Sequence, residues 1–208
     1  MILMTHAANA SKSAAERILS AGEAAHIKHV IDTTLVNAQA SEFPITDQRY
    51  EHLASTVRSA LGPEVQRVIL SCSVYNAMAD RLAGDLGLPV ERSDRAGVEA
   101  SVRETKARLG ILVSFAPSAA VVESYTREVA GRAGRTISIE VAVASGSFAA
   151  ADDLDAYASS LGAVVARFDR ADTVFLSQFS MDPVADRLRQ RFADITFVSA
   201  LEETVATL

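Results

Sequence analysis

Cysteine is almost missing from this chain. Cys72 is the single one in 208 residues, so no internal disulfide can form and a reducing compartment is expected. Tryptophan is absent, and aromatic residues make up 6% of the sequence. No apolar run approaches the roughly 20 residues of a membrane span. The opening MILM is too short for a signal-peptide core and has no basic leader. A cytoplasmic protein without a membrane partner is therefore expected. No block of five like charges occurs and the net charge is −6, which leaves no basic stripe for nucleic acid. A small anion stays open as a ligand, because local backbone N–H groups decide such a contact. There is no Walker loop or GxGxxG; GRAGR (Gly131–Arg135) follows a helical stretch, not a strand. His26, His29 and His52 lack metal-ligand spacing with acids or the cysteine. No metal or other cofactor is expected.

What is present is an alternation of short apolar runs and helical patterns. Strands are predicted near Met1–Thr5, His26–Ile31, Arg67–Ser71, Leu88–Glu91, Gly110–Ser114, Thr136–Val143, Thr173–Ser177 and Ile195–Val198. Helices are predicted near Ser11–Ala21, Thr46–Leu61, Tyr75–Leu86, Arg95–Arg108, Pro117–Ala130, Ala149–Asp169, Pro183–Phe192 and Ala200–Leu208. Runs such as ILMT, VIL and VFL lack polar alternation, as strands buried on both faces of a parallel sheet do. The fold class is α/β with right-handed crossovers. Asp182 before Pro183 reads as a helix N-cap and Ser73 as a cap for the helix near Tyr75. Gly84 and Gly87 bracket one helix end, and Gly131 ends another.

The sequence also repeats itself. Val68–Leu82 (VILSCSVYNAMADRL) aligns with Val174–Leu188 (VFLSQFSMDPVADRL) at an offset of 106, with seven of fifteen positions identical. Ile2–Ala10 (ILMTHAANA) lines up more weakly with Ile111–Ala119 (ILVSFAPSA) at an offset of 109. Two duplicated halves are the reading: residues 1–93 plus 195–208 carry Cys72, and residues 94–194 carry Gln178. Facing each other, such halves place equivalent strand–helix junctions around one cleft, at Thr5–Asn9, Ser71–Asn76, Ser114–Ser118 and Ser177–Asp182. Ligands of open α/β sheets bind at such carboxyl strand ends, where N–H groups point outward. The cleft should suit a carboxylate.

Ser71-Cys72-Ser73 in the first half, Ser177-Gln178-Phe179-Ser180-Met181 in the second, and Ile111–Ser118 between them resemble motifs of the aspartate/glutamate racemase superfamily. That superfamily includes glutamate, aspartate and hydantoin racemases, maleate isomerase and arylmalonate decarboxylase. The resemblance covers most of the chain in order and spacing. It implies two pseudo-symmetric α/β half-domains about an interdomain cleft. It also implies a cofactor-independent enzyme acting on a small carboxylic acid, and a homodimer or higher homo-oligomer. In the family's racemases one thiolate takes the α-proton and an opposing thiol returns a proton to the other face. Cys72 matches the first-half cysteine, whereas Gln178 stands at the second position. Neither Gln178, Phe179 nor Ser180 exchanges protons readily near neutral pH, so symmetric two-thiol chemistry is not expected.

Cys72 sits before a helix start, where the dipole should lower its pKa. It could then deprotonate a carbon acid or add to a double bond; as a thiol it could protonate an enediolate left by decarboxylation. Thr5, His6, Asn9, Ser73, Asn76, Ser114, Ser118, Gln178 and Ser180 are the candidate substrate-binding residues. His6 is also the candidate replacement for the missing acid–base group. Besides a racemase or isomerase, the sequence leaves open a single-cysteine decarboxylase or lyase, and a carboxylate-binding protein that has lost catalysis.

Overall fold

The computed structural model describes residues 1–37, 42–144 and 153–208. Among these residues, eight strands form two parallel sheets. The first contains β1 (Ile2–His6), β2 (Ile27–Ile31), β3 (Arg67–Leu70) and β4 (Val90–Arg92) in the order β2-β1-β3-β4. The second contains β5 (Arg108–Val113), β6 (Ser138–Val143), β7 (Thr173–Leu176) and β8 (Thr196–Ser199) in the order β6-β5-β7-β8. The central strands are the apolar runs: Val68, Ile69 and Leu70 of β3 and all four residues of β7 are buried. The outer β2 and β6 are only partly covered, which matches their mixed composition.

The helices are α1 (Asn9–Ile18), α2 (Ala21–Ala24), α3 (Asp47–Ala60), α4 (Ala79–Leu86), α5 (Arg95–Glu104), α6 (Ser118–Arg132), α7 (Leu154–Val165), α8 (Ala185–Arg191) and α9 (Ala200–Val205). The short α2 carries no clear sequence signal. A central core lies between the sheets, joining Met4 and Ile69 of the first to Ile111 and Phe175 of the second. Separate outer cores pack α3 and α4 against the first sheet and α7 and α8 against the second. Each half also reaches into the other. Helix α1 packs on the 3-10 turn Phe179–Val184, and α6 packs on the 3-10 turn Ser73–Met78.

The duplication is visible in the elements. β3 and β7, the two 3-10 turns, and the starts of α4 and α8 all repeat at the offset of 106. The weaker alignment needs correction, because strand register pairs Ile2 with Arg67 and Leu109 with Thr173. That makes β1 and β5 equivalent at an offset of 107, not 109. The link from β5 to α6 (114–117) is two residues longer than that from β1 to α1 (7–8), which restores 109 at the helix starts.

Other local expectations change as well. The segment 195–208, expected with the first half, supplies β8, which pairs with β7 in the second sheet. The helix expected to reach Arg108 ends at Glu104. The Asp172 carboxylate accepts hydrogen bonds from the N–H groups of Lys106, Ala107 and Arg108 at 2.8 Å each and turns the chain into β5. The helices expected from Tyr75 and from Pro183 begin as 3-10 turns, so neither Ser73 nor Asp182 is a cap. Asp182 instead accepts from Ser199 Oγ at 2.6 Å. Gly87 ends α4 at φ 64°, a left-handed conformation that favours glycine, whereas Gly131 lies inside α6 and Gly134, at φ 63°, follows it. The expected start near Ala149 falls outside the described residues.

Candidate active site

A cleft of about 100 Å³ opens where the carboxyl ends of β1, β3, β5 and β7 converge. Its size suits a small molecule. Ser71, Cys72 and Ser73 form the first wall, and Ser114, Gln178 and Ser180 form the second. Ala7, Ala8, Ser11, Val36 and Phe115 complete the described lining. No charged side chain is among them, so hydroxyl, amide and thiol groups supply the polar chemistry.

Cys72 is half-buried. Its backbone is extended, at φ −88° and ψ 105°, and its carbonyl accepts from the N–H of Tyr75 at 3.0 Å. Burial pushes the thiol up to about 12, although hydrogen bonds from the backbone N–H groups of Val74 and Tyr75 pull the other way. The lowering expected from the helix start is therefore outweighed by desolvation of the thiolate. At neutral pH Cys72 is a thiol.

Hydrogen bonds link the two walls. Gln178 Oε1 accepts from Ser114 N at 2.6 Å and from Ser114 Oγ at 2.7 Å. Its Nε2 donates to Ser73 Oγ across the cleft at 3.4 Å. Ser73 Oγ also pairs with Ser118 Oγ at 2.7 Å, at the start of α6. Gln178 thus orders the second wall and ties it to the first.

The structure brings Cys72, Ser73, Ser114, Gln178 and Ser180 together, with Ser118 bonded behind Ser73. Other candidates lie elsewhere. Thr5 is buried, with Oγ1 3.5 Å from the carbonyl of Ile69, and Asn9 is exposed at the start of α1. Asn76 is buried, bonds Ser93 and edges a separate cavity. His6 is fully buried behind the first wall. Its Nδ1 pairs with Ser71 Oγ at 3.0 Å and its Nε2 with His29 Nδ1 at 2.9 Å. Burial, followed by the proximity of His29 and Lys12, holds His6 down at about 3, so it is neutral. It supports Ser71 and does not face the cleft. Ser71 was legible as the repeat partner of Ser177, and Phe115 from its motif; Ala7, Ala8 and Val36 carry no chemical signal.

No protein-family model matches the sequence, and no curated protein matches it at the sequence level. Solved structures do match in fold. A glutamate racemase isoform from Bacillus anthracis superposes with a TM-score of 0.78 at 14% identity, covering 100% of this chain and 79% of that one. The allantoin racemase of Pseudomonas fluorescens gives 0.69 at 17% identity, over 99% and 88% of the two chains. An aspartate racemase from Picrophilus torridus gives 0.66 at 10% identity, over 100% and 91%. The chain has the two-half α/β fold of these racemases. Among its described residues no helix is long and apolar enough to cross a membrane.

Proposed function

We propose that the chain is a cofactor-independent racemase- or isomerase-type enzyme of the aspartate/glutamate racemase superfamily. In this reading it acts on a small carboxylic acid, with Cys72 as its single thiol acid–base or nucleophile. The observation that carries the proposal is the half-buried Cys72 thiol on the cleft lining, faced by a wall of neutral hydroxyl and amide groups. In this reading the hydroxyls of Ser73 and Ser114, both on the cleft lining, exchange their present partners for a substrate carboxylate. Hydrogen bonding there favours the enediolate formed when the α-proton leaves, because the charge moves onto the carboxylate oxygens. A thiolate of raised pKa is scarce at neutral pH but strongly basic, which suits removal of a proton from carbon. The fold likeness to glutamate, aspartate and allantoin racemases supports the class of reaction.

A second reading rests on the same thiol being held protonated. A single-cysteine decarboxylase or lyase needs one proton donor, which Cys72 supplies without a partner on Gln178. Release of CO₂ from substituted malonates separates this reading from the first. The resemblance also carries a homo-oligomer, which sedimentation would reveal.

The direct test is deuterium gain at the α-carbon in D₂O, followed by NMR for a panel of amino acids, hydantoins and maleate. Wild type should exchange at least one member, and Cys72→Ala should lose that exchange. Tight binding of panel members without exchange would instead mark a carboxylate-binding protein that has lost catalysis.

A further inference from the structure

Tyr157, on the first turn of α7, is fully buried, and its hydroxyl has no hydrogen-bond partner among the described residues. The hydroxyls of Ser180 and Ser114 are the groups that bear on it. Both serines line the cleft on the wall opposite Cys72. The fold does not impose this arrangement. Tyr50 is the fourth residue of α3 as Tyr157 is of α7, an offset of 107, and it is equally buried. The Tyr50 hydroxyl, however, donates to Asp85.

The second wall lacks a thiol, and an amide such as that of Gln178 has no proton to transfer near neutral pH. Ser114 Oγ already donates to Gln178. Ser180, whose hydroxyl alone is no ready proton exchanger near neutral pH, is the remaining hydroxyl of that wall on the cleft, and it lies in the 3-10 turn on which α7, the helix of Tyr157, packs. We infer that Tyr157 is a positioning residue for proton return on the second wall, acting through the hydroxyl of Ser180. The inference rests on the carbon-acid reading above.

The step balances without a co-reactant. Cys72 takes the α-proton on its face, forming S–H and leaving the pair in the enediolate. The α-carbon then takes the Ser180 hydroxyl proton on the far face while the Tyr157 proton moves to Ser180. The result is the inverted product, a Cys72 thiol and a Tyr157 phenolate. Water in the cleft carries the thiol proton to Ser180, which passes its own proton to the phenolate. Burial, as the larger influence, raises Tyr157 to about 12 despite Ser180 and Ser114, and Cys72 also lies at about 12.

The experiment uses wild type, Tyr157→Phe and Ser180→Ala in D₂O with both enantiomers of glutamate, aspartate and allantoin as probes. NMR reads deuterium gain at the α-carbon, and chiral chromatography reads inversion. Wild type should show both. Tyr157→Phe, which keeps the ring, should lower inversion 100-fold or more while deuterium gain with retained configuration persists through Cys72. Ser180→Ala should do the same, and it decides the matter if Tyr157→Phe fails to fold. Tyr50→Phe should leave the ratio of inversion to exchange unchanged, as a purely structural tyrosine would. Inversion at the wild-type rate in Tyr157→Phe, or equal loss of inversion and exchange, overturns the inference. Wild-type exchange without inversion overturns it too, but leaves the carbon-acid reading standing. No exchange of any probe by wild type removes both.

Discussion

Cys72 and Gln178 occupy equivalent places in the repeat. Each has extended backbone and directly precedes a 3-10 turn. The first wall presents a thiol there, and the second an amide that holds Ser114 and reaches across to Ser73. The next position diverges as well. Ser73 bonds Ser118 at the start of α6, whereas Phe179 is buried in the central core that also takes in Ala14 and Ala15 of α1. Behind the walls, Ser71 Oγ meets a buried histidine, while its counterpart Ser177 donates to the carbonyl of Leu112. The duplicated backbone frame has been kept and its chemistry redistributed. The thiol stands on the first wall, and hydroxyl and amide groups alone stand on the second.

The largest test of that asymmetry is Cys72→Ala, which should lower α-proton exchange about 1,000-fold or more, equal to about 4 kcal/mol of barrier. Gln178→Ala should not do so, because its amide transfers no proton.

Acid should loosen the first wall selectively. The folded state holds His6 at about 3 against an ordinary 6.5, so protonation favours unfolding. Its stabilising neutral form is complete above pH 6.5 and lost as pH falls toward 3, at up to about 1.4 kcal/mol per unit. Urea unfolding between pH 7 and 5 should show this slope in wild type and a flatter one in His6→Gln. Gln178→Ala should cost about 1–2 kcal/mol in the same assay, because Ser114 N–H loses its acceptor. The smallest effects concern the paired tyrosines. Tyr50→Phe should destabilise by about 1 kcal/mol through loss of the bond to Asp85. Tyr157→Phe should be neutral or stabilising, since it removes an unsatisfied buried hydroxyl.

The central strands were legible because their apolar runs lack polar alternation, and each of the eight strands among the described residues overlaps an expected one. The central repeat was legible because no residue is inserted between β3 and α4 or between β7 and α8. Tyr50 and Tyr157 escaped notice because the repeat drifts from 106 to 107 and 109 elsewhere, and little besides the tyrosines matches there. His6 was misread for a different reason. Its burial depends on Ser71, 65 residues away, and on His29, 23 away. The lowered pKa expected at Cys72 from local sequence is reversed by desolvation, which arises from tertiary packing. For Ser73, Ser114, Gln178 and Ser180, sequence position at strand ends was enough to bring them to one cleft. Thr5, Asn9 and Asn76 share those junctions, but their side chains do not reach it.

The central claim is that proton abstraction belongs to the first wall. It is tested most directly by measuring α-carbon deuterium gain for Cys72→Ala and Gln178→Ala beside wild type, on whichever panel acid wild type exchanges. The account predicts that exchange disappears in Cys72→Ala and persists in Gln178→Ala. Exchange that survives in Cys72→Ala at the wild-type rate would contradict it.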